Sequence, residues 1–345
     1  MKLSILFGGA SFEHAISIVS AITLKEKLSG FELNFIFLDQ EHIFYLIDSE
    51  SMKAKLFSSG DYKKKPQLSL INGAFVQKTI FSTKEYKEVV LNLIHGADGE
   101  DGTIASLFDF FSIKYIGPRI DASVFSYDKR YTKYLCDARN IKSLKYEVLN
   151  SSEHTNISIP FPIIVKPSRL GSSIGVSIVK NERELDYALD TAFEYDKSLI
   201  VEPFINGVKE YNLAGYMANG EMHFSIVEEP AKEEFLDFDK KYMDFSRTEQ
   251  VLKADIDELL IQKLKLRFTQ IYTGLFEGSL IRCDFFVIDG EVYLNEINPI
   301  PGSMANYLFE DFRSSIEELS LSLPHVKRIK SDYQYIHSIS RAKGK

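Results

Sequence analysis

An α/β fold of more than one lobe is what this sequence predicts, on three observations. Short apolar runs of strand length alternate with stretches of helical spacing along most of the chain. The opening reads strand, glycine turn, helix: Leu3–Phe7, then Gly8-Gly9-Ala10-Ser11-Phe12-Glu13-His14, then a helical run from Ala15 to Leu28. At 345 residues, 45% apolar and 13% aromatic, the chain can fill roughly two or three cores.

Composition narrows the function. A net charge of -8, from 41 basic and 49 acidic residues, argues against general nucleic-acid binding. Two cysteines far apart, Cys136 and Cys283, give neither a disulfide framework nor zinc spacing. The five-residue apolar run in MKLSILFGG is too short for a signal peptide or a membrane span. A soluble protein of a reducing cytoplasm is expected.

The turn after the first strand lacks the G-x-G-x-x-G spacing of a dinucleotide site, which disfavours hydride transfer. It still presents backbone N–H groups and Glu13 at a helix N-terminus, where the helix dipole alone would favour an acid. Strands are expected at Glu32–Leu38, Ile43–Ile47 and Ala74–Phe81. Loops or edge elements are expected in the polar Ser49–Pro66, whose Lys63-Lys64-Lys65 reads as solvated. Val89–Ile94 reads as a buried strand running into His95-Gly96-Ala97-Asp98-Gly99-Glu100-Asp101-Gly102 and a helix from Thr103. Ionisable groups at the carboxyl end of such a strand sit where open α/β sheets bind ligands, which makes His95 a candidate. Asp121 is expected to cap a helix. Asp128–Ala138 is expected to form another, with Lys129 in its first turn, where a lysine opposes the dipole and suits an anion.

Phe161–Lys166 is an apolar strand leading into Pro167-Ser168-Arg169-Leu170-Gly171-Ser172-Ser173-Ile174-Gly175 and a strand at Val176–Val179. Such a loop, with Lys166 at its mouth, can fold over phosphates, although it is no Walker A loop because Lys precedes the glycines. Asn181 caps an expected helix Glu182–Tyr195. Leu199–Ile205 ends a strand, and Pro203 suits a hinge whose backbone could read an adenine edge. Strands at Tyr211–Met217 and Glu221–Val227 precede the long polar stretch Glu228–Thr248, read as a mobile lid. A helix is expected at Ile256–Tyr272 and another around Ser314–Leu321, before a basic, polar tail.

Phe276–Met304 reads as a hairpin around Asp289-Gly290, with Arg282 and Asp284 on its first strand and Glu296 and Asn298 closing its second. A two-residue turn would set Asp284 opposite Asn295. A three-residue loop centred on Gly290 would set it opposite Glu296, with Asn298 on the same face. The second register is the expected one, because it gathers oxygen ligands of the kind Mg²⁺ uses on substrate phosphates.

These segments, FGGASFEHAIS, HGADGEDG, PFPIIVKPSRLGSSIGV, DKKY and IRCDFFVIDGEVYLNEINPIPG, together resemble the D-alanine–D-alanine ligases of the ATP-grasp superfamily, in family order over essentially the whole chain. The resemblance implies a three-lobed α/β ATP-grasp fold. Its lobes would be an open α/β domain at 1–117, a central lobe with the phosphate loop at 118–205, and a C-terminal lobe with lid and metals at 206–345. The last two would sandwich ATP. One D-alanine would be activated as an acyl phosphate with release of ADP, and the amine of a second would displace phosphate to give D-alanyl-D-alanine for peptidoglycan.

By the same resemblance, Asp284, Glu296 and Asn298 would hold two Mg²⁺ ions, with Mn²⁺ an acceptable substitute. Lys129, Lys166 and Lys241 would line the phosphates, with Ser173 on the covering loop. Glu202, Phe204 and Ile205 would read adenine, and Glu210 the ribose. Glu13 would pair with the first D-alanine's ammonium and join Ser172 and Tyr242 in closing the lid. Arg282 and the Gly302 N–H would stabilise oxyanion charge. His95, Ser303, Tyr307 and Leu308 would bind substrate. The sequence departs from the family at Asn298-Pro299, usually Asn-Thr, and at Tyr307, usually a serine on the second D-alanine's carboxylate. Tyr242 goes with the amide product, where a D-alanine–D-lactate ligase has Phe. A nucleotide-binding regulatory module without turnover is disfavoured, since every metal carboxylate and phosphate lysine is present. No nucleic-acid or membrane partner is expected, and a homodimer is.

Overall fold

The computed structural model describes residues 1–150, 157–230, 253–325 and 331–342. Its strands form three sheets. The first has eight strands in the order β6-β5-β4-β3-β2-β1-β7-β8: β1 (Lys2–Gly8), β2 (Glu32–Leu38), β3 (Phe44–Ile47), β4 (Gln67–Ile71), β5 (Ala74–Lys78), β6 (Thr83–Tyr86), β7 (Val89–Asn92) and β8 (Tyr115–Ile116). β2, β1, β7 and β8 pair in parallel. Parallel strands covered on both faces need continuous apolar runs, which is why LSILF and VVLN were readable. Helix α1 (His14–Lys27) leaves the glycine turn, where Gly8 sits at φ 105° and a Cβ would lie 2.1 Å from the Leu38 carbonyl oxygen. Ser49–Pro66 holds the short helix α2 (Ala54–Ser58) between two 3₁₀ turns, and β4 follows it, a strand not expected from the sequence. Helix α3 (Thr103–Phe110) starts where expected.

Asp121 does not cap the next helix, α4 (Ile120–Tyr127). The cap position is Arg119, and the Asp121 carboxylate accepts the neighbouring Ala122 N–H at 2.9 Å inside the first turn. Asp128 does cap α5 (Lys129–Arg139), accepting from Arg130 N, which makes Lys129 the first helical residue. The second sheet is antiparallel, in the order β11-β10-β12-β9: β9 (Glu147–Leu149), β10 (Ile163–Pro167), β11 (Ser177–Val179) and β12 (Leu199–Pro203). Asn181 caps a 3₁₀ turn at Glu182–Glu184, and α6 proper runs Leu185–Phe193, shorter than expected. Its Leu185, Ala188, Leu189 and Ala192 close a separate core with Ile163, Val165 and Val201.

The third sheet, in the order β14-β13-β15-β16, consists of β13 (Lys209–Ala218), β14 (Glu221–Glu228), β15 (Ile281–Ile288) and β16 (Glu291–Asn298). Helix α7 (Glu258–Tyr272) covers one face, with Phe268, Tyr272 and Phe276 fully buried, each worth roughly 1.5–3 kcal/mol in apolar burial. Leu135, Cys136 and Ile141 from α5 and its exit share this core. Helices α8 (Phe312–Leu321) and α9 (Ile336–Ala342) follow, the latter inside the stretch read as a polar tail. Another cluster joins Ile5, Phe7 and Leu24 of the first lobe to Ala214, Tyr216, Leu280, Ile300, Met304 and Ile316 of the C-terminal third.

The hairpin pairs Asp284 with Glu296, as expected, but by another route. Its turn has two residues, Asp289 at φ 51° and Gly290 at φ 75°, and Ile288 pairs with Glu291. A bulge between Asp284 and Phe285 then leaves Asn295 as an extra residue and shifts the register by one. The bulge changes the parity of β16. Val292, Leu294 and Ile297 enter the core, while Glu296 and Asn298 face away from it.

Candidate active site

Cross-strand partners share a face, so the registers place Glu228, Asn212, Asp284 and Glu296 in one row across all four strands of the third sheet. Arg282 and Asn298 form the adjacent rung. Asp284 is 6% exposed. It accepts from Arg282 Nε at 2.7 Å and Nη2 at 2.9 Å, and from the Asn298 amide at 3.1 Å. Burial lowers the proton affinity of Arg282, but Asp284 outweighs it and holds the guanidinium charged. Lys129 Nζ sits 3.4 Å from Glu296 Oε1 and donates to the Leu170 carbonyl at 2.6 Å, linking the acidic row to the small-residue loop.

Among the described residues, no three His, Cys, Asp or Glu converge into a self-sufficient metal cage. Two carboxylates and an amide are hard oxygen donors of the number that suits a cation sharing its coordination with phosphate and water. Cationic side chains already answer the row's charge from two sides.

Lys166 lies on β10 and donates to Glu202 Oε2 on β12 at 2.7 Å. The other oxygen, Oε1, is paired with Lys133 of α5. Burial pushes the Glu202 carboxyl up, yet the two lysines prevail and hold it at about 2. For Lys166 burial is again the largest influence, lowering its proton affinity, and Glu202 reverses it. The carboxylate expected to read adenine is thus clasped by two lysines. The Phe204 N–H donates to the Pro162 carbonyl at 2.9 Å, and the Ile205 carbonyl accepts from Val208 at 3.4 Å. Glu210 pairs across β13 and β15 with Phe286, and so projects on the same face as Asp284.

Glu13 is 7% exposed and accepts from Ser172 Oγ at 2.7 Å. Ser172 and Ser173 lie at φ 54° and 58°, a left-handed bend that turns the loop tip towards α1. Burial first, then the nearby Glu100, raises the Glu13 carboxyl above the usual range. No cation forms an ion pair with it among the described residues, and an incoming ammonium would supply that counter-charge. Burial also drives Glu100 up to about 8 and lowers His95, whose ring is neutral at physiological pH. His95 Nε2 contacts Ser20 Oγ at 3.2 Å, and Ser20 Oγ accepts the Ser303 N–H at 3.0 Å.

After Gly302, the residues Ser303, Met304 and Ala305 all lie at φ between 46° and 54°. Left-handed geometry costs a residue with a side chain about 1–2 kcal/mol. The turn is held by Met304 N–H to the Pro301 carbonyl at 2.7 Å, by Asn306 to the Ser303 carbonyl at 2.9 Å, and by burial of Met304, Ala305 and Leu308 in the shared core. The Leu308 side chain therefore faces that core, leaving its main chain as the part able to meet substrate. Ser303 Oγ is buried without a hydrogen-bond partner among the described residues. Tyr307 Oη lies 3.4 Å from Glu228 Oε2, which also accepts from Asn212 at 2.9 Å. Lys241 and Tyr242 lie outside the described residues.

The structure adds Lys133, Asn212, Glu228, Ser20, Asp98 and Glu100 to the expected set. Asp98 accepts the Ala10 N–H at 2.7 Å and contacts His42 at 3.0 Å, tying the glycine turn beneath Glu13 to the following loop. The spacing of Lys129 and Lys133, one turn apart on one face of a helix, was the signal available for Lys133.

A loop and lysines from the second sheet and α5, closing on an acidic row of the third, define an ATP-grasp enzyme. Comparisons with known proteins agree. Residues 2–118 match the family model of the D-ala D-ala ligase N-terminus, and residues 121–314 that of the C-terminus. The chain is 69% identical over 345 residues to a D-alanine–D-alanine ligase of Sulfurimonas denitrificans, and 58% identical over 350 aligned positions to one of Helicobacter hepaticus, each covering 100% of both chains. A crystal structure of D-alanine–D-alanine ligase from Helicobacter pylori is 48% identical, covers 95% of this chain and 100% of its own, and superposes with a TM-score of 0.84. The chain belongs to the D-alanine–D-alanine ligase family, whose members are ATP-dependent, ADP-forming ligases.

Proposed function

We propose that the protein joins two D-alanines at the expense of ATP, through a D-alanyl phosphate. The observation that carries the reading is the single face bearing Arg282, Asp284, Glu296 and Asn298, met by Lys129 from the opposite side. Asp284, Glu296 and Asn298 would hold two Mg²⁺ ions, which supply charge neutralisation at the phosphate oxygens when bound. Lys129 and Lys166 add fixed positive charge there, and Lys241 would add more from the lid. The Ser173 loop covers the phosphates. Phe204, Ile205 and Glu202 border the base, and Glu210 the ribose.

Glu13 holds the ammonium of the first D-alanine, whose carboxylate oxygen attacks the γ-phosphorus as the bond to ADP breaks. The second D-alanine, its amine having lost a proton, attacks the acyl carbon. Arg282 and the Gly302 N–H stabilise the oxyanion that forms, and phosphate leaves. Ser172 positions Glu13 and the loop, Tyr242 would complete that set, and enclosure protects the acyl phosphate from water. His95, through Ser20, fixes the Ser303 turn, so Ser303, Tyr307 and the Leu308 backbone border the second subsite. The proposed lobes are 1–117, 118–205 and 206–345, one sheet in each. A cytoplasmic homodimer making peptidoglycan precursor is the proposed setting, and no helix among the described residues is long and apolar enough to cross a membrane.

Purified protein with ATP and Mg²⁺ should release ADP on addition of D-alanine and yield a product with the mass of the dipeptide. ADP release only with D-lactate as second substrate, or none with any D-amino acid, would overturn the reading.

A further inference from the structure

Lys133 is 3% exposed, and nothing in the reaction above uses it. It lies one turn after Lys129 on α5, pairs with Glu202 Oε1, donates to the Leu144 carbonyl at 3.3 Å, and has the Tyr146 ring centroid 5.8 Å from Nζ. Glu202 is equally buried and takes Lys166 on its other oxygen at 2.7 Å. Two lysines on one carboxylate leave the trio with one net positive charge. The Lys166 side chain is 14% exposed against 4% for Lys133, and Lys166 also feels Glu296 and Glu210, so the surplus charge reaches the cleft through Lys166.

A buried ion pair is costly to desolvate and easily replaced by apolar packing, so a third buried charge calls for a purpose. We propose that Lys133 is a positioning residue that neutralises Glu202, so that Lys166 presents a full positive charge to the nucleotide's phosphates. With Lys133 removed, Lys166 and Glu202 would form a closed neutral pair, and the cleft would lose one charge at the point where the polyphosphate lies. The proposal rests on the reading that ATP binds in this cleft.

The test is calorimetric titration of MgADP and of adenosine into the full-length protein, taking the ratio of the two affinities. The ratio isolates the phosphate contribution, because damage to the fold or to base binding weakens both ligands. A charged hydrogen-bonding group at a phosphate is worth about tenfold or more. K166M should therefore lower the ratio about tenfold, and K133M should lower it comparably with Lys166 still in place. K133M/E202Q, which leaves Lys166 as the sole charge, should return the ratio to within about threefold of wild type. E202Q alone, carrying one extra positive charge, should raise it, and this arm serves if K133M does not fold. A ratio unchanged in K133M, or unchanged in E202Q, overturns the proposal while leaving the ATP site intact. A ratio unchanged in K166M removes the ATP-site reading, and the proposal with it.

Discussion

Ser172 Oγ donates a 2.7 Å hydrogen bond to Oε1 of Glu13, joining residues 159 positions apart. The same approach brings Gly171 so close that a Cβ there would lie 2.9 Å from that oxygen. The loop proposed to cover the phosphates and the carboxylate proposed to hold the first amino acid are thus joined directly. Ser172→Ala should lower kcat/KM for D-alanine about tenfold, the worth of a hydrogen bond to a charged group, with little change in ADP affinity. Steady-state kinetics beside ADP titration would check this, and equal losses in both would refute it.

Glu296 is paired with Lys129 and sits opposite Asp284. Glu296→Gln keeps its shape but removes a hard anionic donor from the proposed metal row. Turnover should fall below detection while the melting temperature stays within a few degrees. A coupled ADP assay at raised Mg²⁺ and a thermal melt test the two halves separately.

Glu100 has its carboxyl raised by burial from 4.5 to about 8 in the folded chain. Between those values the folded state binds the proton more firmly than the unfolded one, so stability falls as pH rises through the window. Glu13 shifts in the same direction. Glu202, held at about 2, acts oppositely: its stabilisation is present above its unfolded value and is lost only in acid. Glu100→Gln should therefore gain melting temperature over wild type progressively from pH 5 to pH 8. Calorimetry without ligand would show it, and a difference independent of pH would contradict it.

Gly99 leaves no room for a side chain. A Cβ there would lie 1.8 Å from the Ile94 carbonyl oxygen, a backbone atom that cannot rotate away. Gly99→Ala should cost about 3 kcal/mol or more, because the loop carrying His95 and Glu100 must move. Chemical denaturation would measure the loss.

Much of this architecture was legible because short, nearly continuous apolar runs such as Leu3–Phe7 and Leu199–Val201, bounded by turn residues, suit strands buried on both faces. The register that builds the acidic row was legible too, but not its cause. Asp284 meets Glu296 through an extra Asn295, and a bulge has no local sequence mark comparable to a turn glycine. Strand β4 was hidden behind a lysine-rich segment without a period. Lys133 was hidden because its value comes from Glu202, on a distant strand. Asp121 misled because an acid inside the first turn looks the same in sequence as one at the cap.

The cluster shared by α1, the strained Ser303–Ala305 turn and α8 carries a mechanical consequence. Floor and back wall of the cleft are welded into a single block, whereas the β9–β12 unit owns a core of its own. A unit with its own core is the part of the molecule that can shift without breaking the shared block. Glu13 and Ser172 join across that boundary beside Lys129 and the Leu170 carbonyl, so a few short polar contacts, not shared apolar packing, hold the loop tip in place.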